Sequence, residues 1–283
     1  MALLQRQEPK RSPEGTPAGG GALALKPALS EPRFAWLYTP AATRLGVIAL
    51  MVLFWEFGAR IYNDADFLAP ATQSFMSLFE ILEDVEVAIA IGDMFWQLAV
   101  AFAMSLVSGL LLGMLVGLNR PTYRTFFPII LMAYAFPQIT VLPVLVLLFG
   151  IGPAIKVVFG FTHGFFPIIV NVIAGTQNID PALLTAARSM GASKRQIYRH
   201  IVFPHLVPSL FTGMRLGMTA TLLGVILAEL YATRKGIGYF TSLYSESFEP
   251  QNLFALVAMI AAAAICLNEL LRRAEIRFGR WRE

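Results

Sequence analysis

Residues 180–204 read Asp180-Pro181-Ala182-Leu183-Leu184-Thr185-Ala186-Ala187-Arg188-Ser189-Met190-Gly191-Ala192-Ser193-Lys194-Arg195-Gln196-Ile197-Tyr198-Arg199-His200-Ile201-Val202-Phe203-Pro204. Helical patterning and basic charge occur together here, without a long apolar run. The pattern predicts two short helices around a glycine corner. Asp180 caps the first helix, and Pro181 fits its first turn, where no amide donor is needed. Leu183, Ala187 and Met190 fall on one face. Gly191 suits the left-handed conformation that ends a helix. Ser193 and Gln196 have the spacing of a capping box. Ile197, Tyr198, Ile201 and Val202 give the second helix an apolar side; Lys194, Arg195, Arg199 and His200 give it a basic one. Pro204 is expected to stop it.

Two short amphipathic helices do not stand alone in water. Long apolar runs flank this pair, so it is expected to be a loop between membrane spans. Its basic charge places it on the cytoplasmic side, as a knob for a cytoplasmic partner.

Composition agrees with a membrane chain. Of 283 residues 57% are hydrophobic and only 14% charged, with a mean hydropathy of +0.64; soluble domains carry about a quarter charged residues. The expected fold is all-α, a polytopic membrane protein with six transmembrane helices. The expected spans lie near 44–62, 94–118, 126–149, 153–176, 207–231 and 252–272, each close to the roughly 20 residues a bilayer requires. The third carries Pro128, Pro137 and Pro143. Residues 1–40, with six prolines and Gly19-Gly20-Gly21, read as a disordered cytoplasmic tail rather than a signal peptide. Residues 41–283 form the transmembrane domain. The single cysteine, Cys266, lies in an apolar run. It reads as a small core residue.

Charge sets the topology. Seventeen of the 22 Lys and Arg residues fall in the N-terminal tail, the 119–125 turn, the 177–206 loop and the C-terminal tail, counting Arg44 and Arg272 at the adjoining span ends. Both termini are therefore expected in the cytoplasm. Arg60, Lys156, Arg234 and Lys235 fall in other loops or at their edges, and Arg215 in the fifth span. Residues 63–93 are acidic, with apolar spacing at Phe75, Leu78, Phe79 and Leu82. They read as an amphipathic helix on the outer surface, either a solvated cap or a docking surface for a periplasmic binding protein.

Polar side chains inside spans are costly and usually face the protein interior or a wet path. Gln138, His163, Asn171, Arg215 and Glu229 are the candidates for a translocation path; Glu56, Gln97 and Glu269 are also polar residues in spans. Gln138 follows Pro137, where the third span is expected to break, so it reads as a path residue or part of a hinge. His163 and Asn171 are eight residues apart and differ by about 80° around a helix, so they share a side. Packing and ligand contact are both open for His163. Arg215 fits an internal ion pair or attraction for an anionic solute. Glu229 fits an outer gate or a cap on a neighbouring helix. Glu56 is within reach of Arg60, and Glu269 of Arg272 or Arg273. No metal site is expected, because no second His or Cys lies at ligand spacing. Gly109, Gly113 and Gly117, and likewise Gly213 and Gly217, repeat every four residues and predict close helix approach.

Ala186-Ala187, Gly191, Ile201 and Pro204 resemble the cytoplasmic loop motif of ABC importer permeases, the binding-protein-dependent inner-membrane subunits. That motif runs Glu-Ala-Ala, three residues, Gly, nine residues, Ile, one residue, Leu-Pro. The spacing here matches throughout, with Thr185 where Glu is usual and Phe203 where Leu is usual. The resemblance extends over roughly residues 65–282. Leu142-Pro143 with Phe149-Gly150-Ile151-Gly152, Ala228-Glu229 with Gly236-Ile237-Gly238-Tyr239, and Arg280-Trp281 look like the nitrate/sulfonate/taurine branch.

The resemblance implies a type I ABC importer permease fold in a bacterial inner membrane and a path for a small, anionic solute. It implies cytoplasmic ABC ATPase subunits, a second permease copy, the simplest arrangement being a homodimer, and a periplasmic solute-binding protein. Carried onto this sequence, the ATPase-coupling residues are Thr185, Ala186, Ala187, Met190, Gly191, Ala192, Ile201 and Pro204. The chain has no Gly-x-x-x-x-Gly-Lys-Ser/Thr phosphate loop. It is expected to bind no cofactor and to catalyse nothing itself, with ATP-Mg on the partner ATPase. Membrane lipid is an expected partner; nucleic acid is not. The alternative, an ion-coupled secondary transporter, needs a relay of intramembrane carboxylates. Glu56, Glu229 and Glu269 lie on separate spans, mostly near their ends, which argues against one. A membrane-embedded enzyme needs a catalytic set at one depth, which the sequence does not offer.

Overall fold

The computed structural model describes residues 40–64 and 66–279. The disordered tail expected over 1–40 lies outside these residues apart from Pro40, and so does Arg280-Trp281. The chain divides into two units, 1–51 and 52–283. The described part of the first is the opening half of helix α1 (Pro40–Tyr62), which exposes Leu45, Ile48 and Met51.

The second unit continues α1 and adds α2 (Ala71–Glu83), α3 (Val85–Gly117), α4 (Arg120–Ala135), α5 (Leu142–Phe149), α6 (Pro153–Gln177), α7 (Pro181–Ser189), α8 (Lys194–Ile197), α9 (Phe203–Ala232), α10 (Ile237–Glu246) and α11 (Pro250–Gly279). No strand occurs among the described residues. Among the described residues five helical stretches are long and apolar enough to cross a membrane; there are six if the bent pair 120–135 and 138–149 counts as one span.

The core is a triple of helices in which α6 is the middle member. Its Ile168, Val172, Ile173 and Phe159 are sealed from the surface. Glycine makes this possible. A Cβ placed on Gly113 of α3 would sit 2.6 Å from Val172 Cγ1, and one on Gly109 2.8 Å from Ile168 Cγ2. On the other flank, a Cβ on Gly217 of α9 would sit 2.6 Å from Ile168 Cγ1, and one on Gly213 2.9 Å from Asn171 Cβ. Small residues let backbones approach where lipid gives no hydrophobic drive between helices. Both four-residue glycine repeats therefore do the packing that their spacing predicts. Around this triple, the Trp55 indole N–H donates to the Ala69 carbonyl (3.0 Å) and its ring meets Phe254 edge-on at 5.2 Å. These contacts fix the second half of α1 against the approach to α2 and against α11.

Two boundaries differ from the sequence reading, each for a local physical reason. The segment 63–93, expected as one helix on the outer surface, is not one helix. Asp84, in extended conformation, accepts the Glu86 N–H (2.8 Å) and starts a new helix that runs on as the second span from residue 85. The third span breaks at Pro137, as its sequence leads one to expect. Pro137 holds the preceding Phe136 extended (φ −69°, ψ 133°), and the halves meet at 83°. Pro204 does not stop the second loop helix. Tyr198–Val202 form a π-helical turn in which the Phe203 N–H reaches the Tyr198 carbonyl, and α9 continues through Pro204 to Ala232. The wider turn accommodates a proline that an unbroken α-helix would reject.

Helix α2 also turns the other way. Phe75, Phe79 and Leu82 are exposed, while Ser74, Ser77 and Ile81 are buried, with Leu78 packed beside them. That buried set also has helical spacing. Its two serines let α2 lie close on α11, and the Ser74 hydroxyl donates back to the Pro70 carbonyl (3.3 Å). Phe75 and Phe79 pair edge-on at 5.2 Å on the open side, as a helix lying at a membrane surface would place them.

Candidate functional site

The 180–204 segment builds the expected corner. Asp180 Oδ1 accepts the Ala182 N–H (2.8 Å) and caps α7. At the other end, the Gly191 N–H donates to the Arg188 carbonyl and the Ala192 N–H to the Ala187 carbonyl, both at 3.0 Å. This pair of bonds is the Schellman motif, and Gly191 adopts the positive φ it requires, +77°. Ser193 then opens α8 with both bonds of a capping box: its hydroxyl accepts the Gln196 N–H, and the Gln196 side chain accepts the Ser193 N–H.

The corner presents a defined face. Met190 is 81% exposed, with Leu183 and Tyr198 also in the open. Arg188, Lys194, Arg195, Arg199 and His200 surround them, all exposed. Beside Met190 lies a shallow hollow of about 360 Å³, walled by Ala187, Gly191, Ala192, Ile197, His200 and Ile201. Ala187 does not share the exposure of Leu183 and Met190, with which it falls on one face of the pattern. It is 5% exposed and packs inward, because the Schellman turn folds the chain back over that side of α7. Of the remaining coupling candidates, Ala186 and Thr185 are exposed, and Ala192, Ile201 and Pro204 are half-buried. The Thr185 hydroxyl is bonded to the Pro181 carbonyl (3.0 Å).

The five candidate path residues lie apart. No two of them share a hydrogen bond or ion pair among the described residues. His163 and Asn171 do share a side of α6, and both face α9, against Gly224 and Gly213 respectively. His163 Nδ1 lies 3.0 Å from the Phe159 carbonyl and its ring is edge-on to Phe159. The Asn171 amide donates to the Pro167 carbonyl (2.8 Å). Arg215 pairs with Glu275 of α11 at 3.0 Å. Gln138 opens a 3-10 turn just after the 83° bend, and its Oε1 is buried without a hydrogen-bond partner. Such an orphan fits a position that a solute or water visits, since buried acceptors are otherwise satisfied.

Glu229 has two buried partners. Lys156 Nζ donates to its Oε1 (3.0 Å), and the Gly238 N–H donates to its Oε2 (2.9 Å), capping the start of α10. Lys156, assigned to a loop edge by charge counting, lies inside the first turn of α6 with its side chain 5% exposed, and the Glu229 side chain is 0% exposed. Glu56 plays a similar part for α2, accepting the Thr72 N–H (3.0 Å) and pairing with Arg60. Glu269 pairs with Arg272 and Arg273. Each span carboxylate considered for a proton or ion relay is thus already engaged locally, in three separate places.

The segment 109–274 matches the family described as binding-protein-dependent transport system inner membrane component. The chain is 26% identical over 251 residues to the formylaminopyrimidine transport permease protein ThiX of Halalkalibacterium halodurans, covering 87% of this chain and 98% of that one. It is 29% identical over 186 residues to the taurine transport system permease protein TauC of Escherichia coli (65% and 67% covered). It is 25% identical over 242 residues to the nitrate import permease protein NrtB of Synechocystis (82% and 88% covered). Among solved structures, an inward-facing form of the MetNI methionine ABC transporter shares the fold, with a TM-score of 0.58 at 20% identity, covering 68% of this chain and 94% of that one. Because the family match extends over more than half of the residues, from the glycine repeat of α3 to residue 274 in α11, the chain belongs to the binding-protein-dependent inner-membrane permeases of ABC importers, on the branch that holds the nitrate, sulfonate and taurine permeases.

Proposed function

We propose that this permease forms the path for a small anionic solute and takes its energy from a separate ATPase seated on the 180–204 corner. The observation that carries this is the corner itself: Met190, Leu183 and Tyr198 exposed in a ring of five basic side chains, on a backbone fixed by caps at both turns. Exposed apolar groups ringed by charge mark a protein interface. ATP-Mg is held by that partner, since this chain has no phosphate loop. A periplasmic binding protein delivers the solute, a second copy of this chain completes the path, and lipid covers the apolar sides of α1, α4 and α5. Gln138, at the break, is the path residue with a free acceptor. The relatives named for taurine, sulfonate and nitrate support an anionic solute, and the test is uptake. The complex reconstituted in proteoliposomes with its ATPase and binding protein is expected to accumulate nitrate, taurine or an alkanesulfonate only with ATP inside. Accumulation driven by an ion gradient without ATP contradicts this reading.

We also propose that both termini and the 180–204 corner face the cytoplasm, on the charge distribution. With Cys266 replaced by alanine, a cysteine at the exposed Glu246 is expected to react with an impermeant maleimide in whole cells, and one at Lys194 only after lysis. The reverse pattern inverts the topology.

A further inference from the structure

The two helices that meet at the coupling corner also meet at their far ends, through charge. Helix α6 runs into the corner and α9 runs out of it. Along their length glycine leaves no slack: a Cβ on Gly224 would sit 2.9 Å from Gly160 Cα, and one on Gly175 2.7 Å from Ser209 Cβ. At the end away from the corner, Lys156 Nζ donates to Glu229 Oε1 (3.0 Å) and to the Lys235 carbonyl (2.8 Å), while Glu229 Oε2 holds the Gly238 N–H (2.9 Å). Two side chains thus tie α6, α9, the 233–236 loop and α10 at one point. Gly236 (φ +119°) and Gly238 both lie against the Glu229 side chain, so the loop is folded over it.

Stability does not explain such a pair. A buried ion pair costs desolvation and can often be replaced by uncharged groups of similar volume without loss. The same level is polar on α3 as well. The close contacts of α3 with α6 keep one register, Ala101 to Gly160, Gly109 to Ile168 and Gly113 to Val172, each 59 positions later. That register sets Gln97 opposite Lys156, and Gln97 is 1% exposed with Oε1 unpartnered. A polar layer thus crosses all three core helices at the end opposite the corner, where packing alone calls for apolar groups.

We propose that Lys156 and Glu229 are positioning residues for transport: a clasp that closes the far end of the α6–α9 hairpin and hands movement of the coupling corner to the 233–236 loop, which carries the exposed cations Arg234 and Lys235. The proposal rests on the importer reading above. Its test uses the full complex with its ATPase and binding protein. Lys156→Met or Glu229→Gln alone leaves the other partner buried and unpaired, and is expected to reduce folded protein. The double variant Lys156→Met/Glu229→Gln carries no buried charge, and its glutamine still accepts the Gly238 N–H. It is expected to fold and keep its ATPase, while solute imported per ATP hydrolysed falls about tenfold. Import per ATP close to the parental value in the double variant overturns the clasp.

A second measurement stands if that variant does not fold. Spin labels at Lys194 and Arg234 of the otherwise unchanged chain are expected to keep one mutual distance between nucleotide-free and ATP-trapped states, while each changes its distance to a label at the exposed Phe57 of α1, outside the core triple. A changed Lys194–Arg234 distance refutes the proposal. Should the parental complex fail to import at all, the importer reading falls, and the label distances still decide whether corner and loop move together.

Discussion

Gly191→Val is expected to uncouple transport while leaving the chain folded in the membrane. Gly191 holds φ at +77° with nothing within 4 Å of a Cβ built there, so the obstacle is not a neighbour but the backbone itself. A β-branched residue in the left-handed region costs about 1–2 kcal/mol or more. The chain escapes that strain by opening the corner, which breaks the Gly191–Arg188 and Ala192–Ala187 bonds and swings Met190 away from α8. The spans are untouched, so insertion proceeds. ATP hydrolysis by the complex is expected to lose its dependence on solute-loaded binding protein, and uptake to fall to background. Gly191→Asn, which tolerates positive φ, is expected to recover much of the activity. Equal uptake by the valine and asparagine variants removes the corner from the mechanism.

Gly224→Leu is expected to have the larger effect on the fold. The neighbours of a Cβ at 224 are backbone, Gly160 Cα and the Phe159 carbonyl at 2.9 Å each, with His163 Cγ equally close. Backbone cannot rotate aside, so α6 and α9 must separate along the interface that carries most of the core. Overpacking of this kind costs about 3 kcal/mol or more. The purified variant is expected to melt well below the parental protein or to aggregate on extraction. Gly92→Ala is the control, because a Cβ there meets nothing within 4 Å and alanine favours a helix by about 0.5–1 kcal/mol. A leucine variant with parental melting temperature shows that the two helices are not locked.

The parts of this fold that could be read in the sequence are those set within one turn of chain. Asp180, Gly191 and the Ser193–Gln196 pair announce the corner because capping is a contact between residues two or three apart. The glycine repeats of α3 and α9 announce close packing because one residue type at one spacing has a single main use in a span. The engaged states of Glu56 and Glu269 were also near at hand, with Arg60 four residues on and Arg272 three residues on.

What stayed hidden depends on distance in the chain or on a choice between two adequate faces. Lys156 and Glu229 are 73 residues apart, and nothing around Lys156 sets it apart from a loop cation except that Pro153 starts a helix just before it. Arg215 gave no hint that its partner would be Glu275. Helix α2 offers an aromatic stripe and a serine stripe at the same period, and the smaller residues won the protein side because they permit closer approach. Pro204 has the signature of a helix stop, and only the π-helical turn before it lets α9 pass. Helical periodicity groups Ala187 with Leu183 and Met190, and the chain that follows Gly191, which periodicity within α7 does not include, covers Ala187 alone of the three.

The central claim, that an ATPase grips the 180–204 corner, is tested most directly by a photo-crosslinking amino acid at Met190, the most exposed apolar side chain of that corner. Irradiated in intact membranes with all subunits present, Met190 is expected to yield one crosslinked protein that contains the partner ATPase, and the yield is expected to change when ATP is trapped. Crosslinks to lipid alone, or none to the ATPase under either condition, contradict the account.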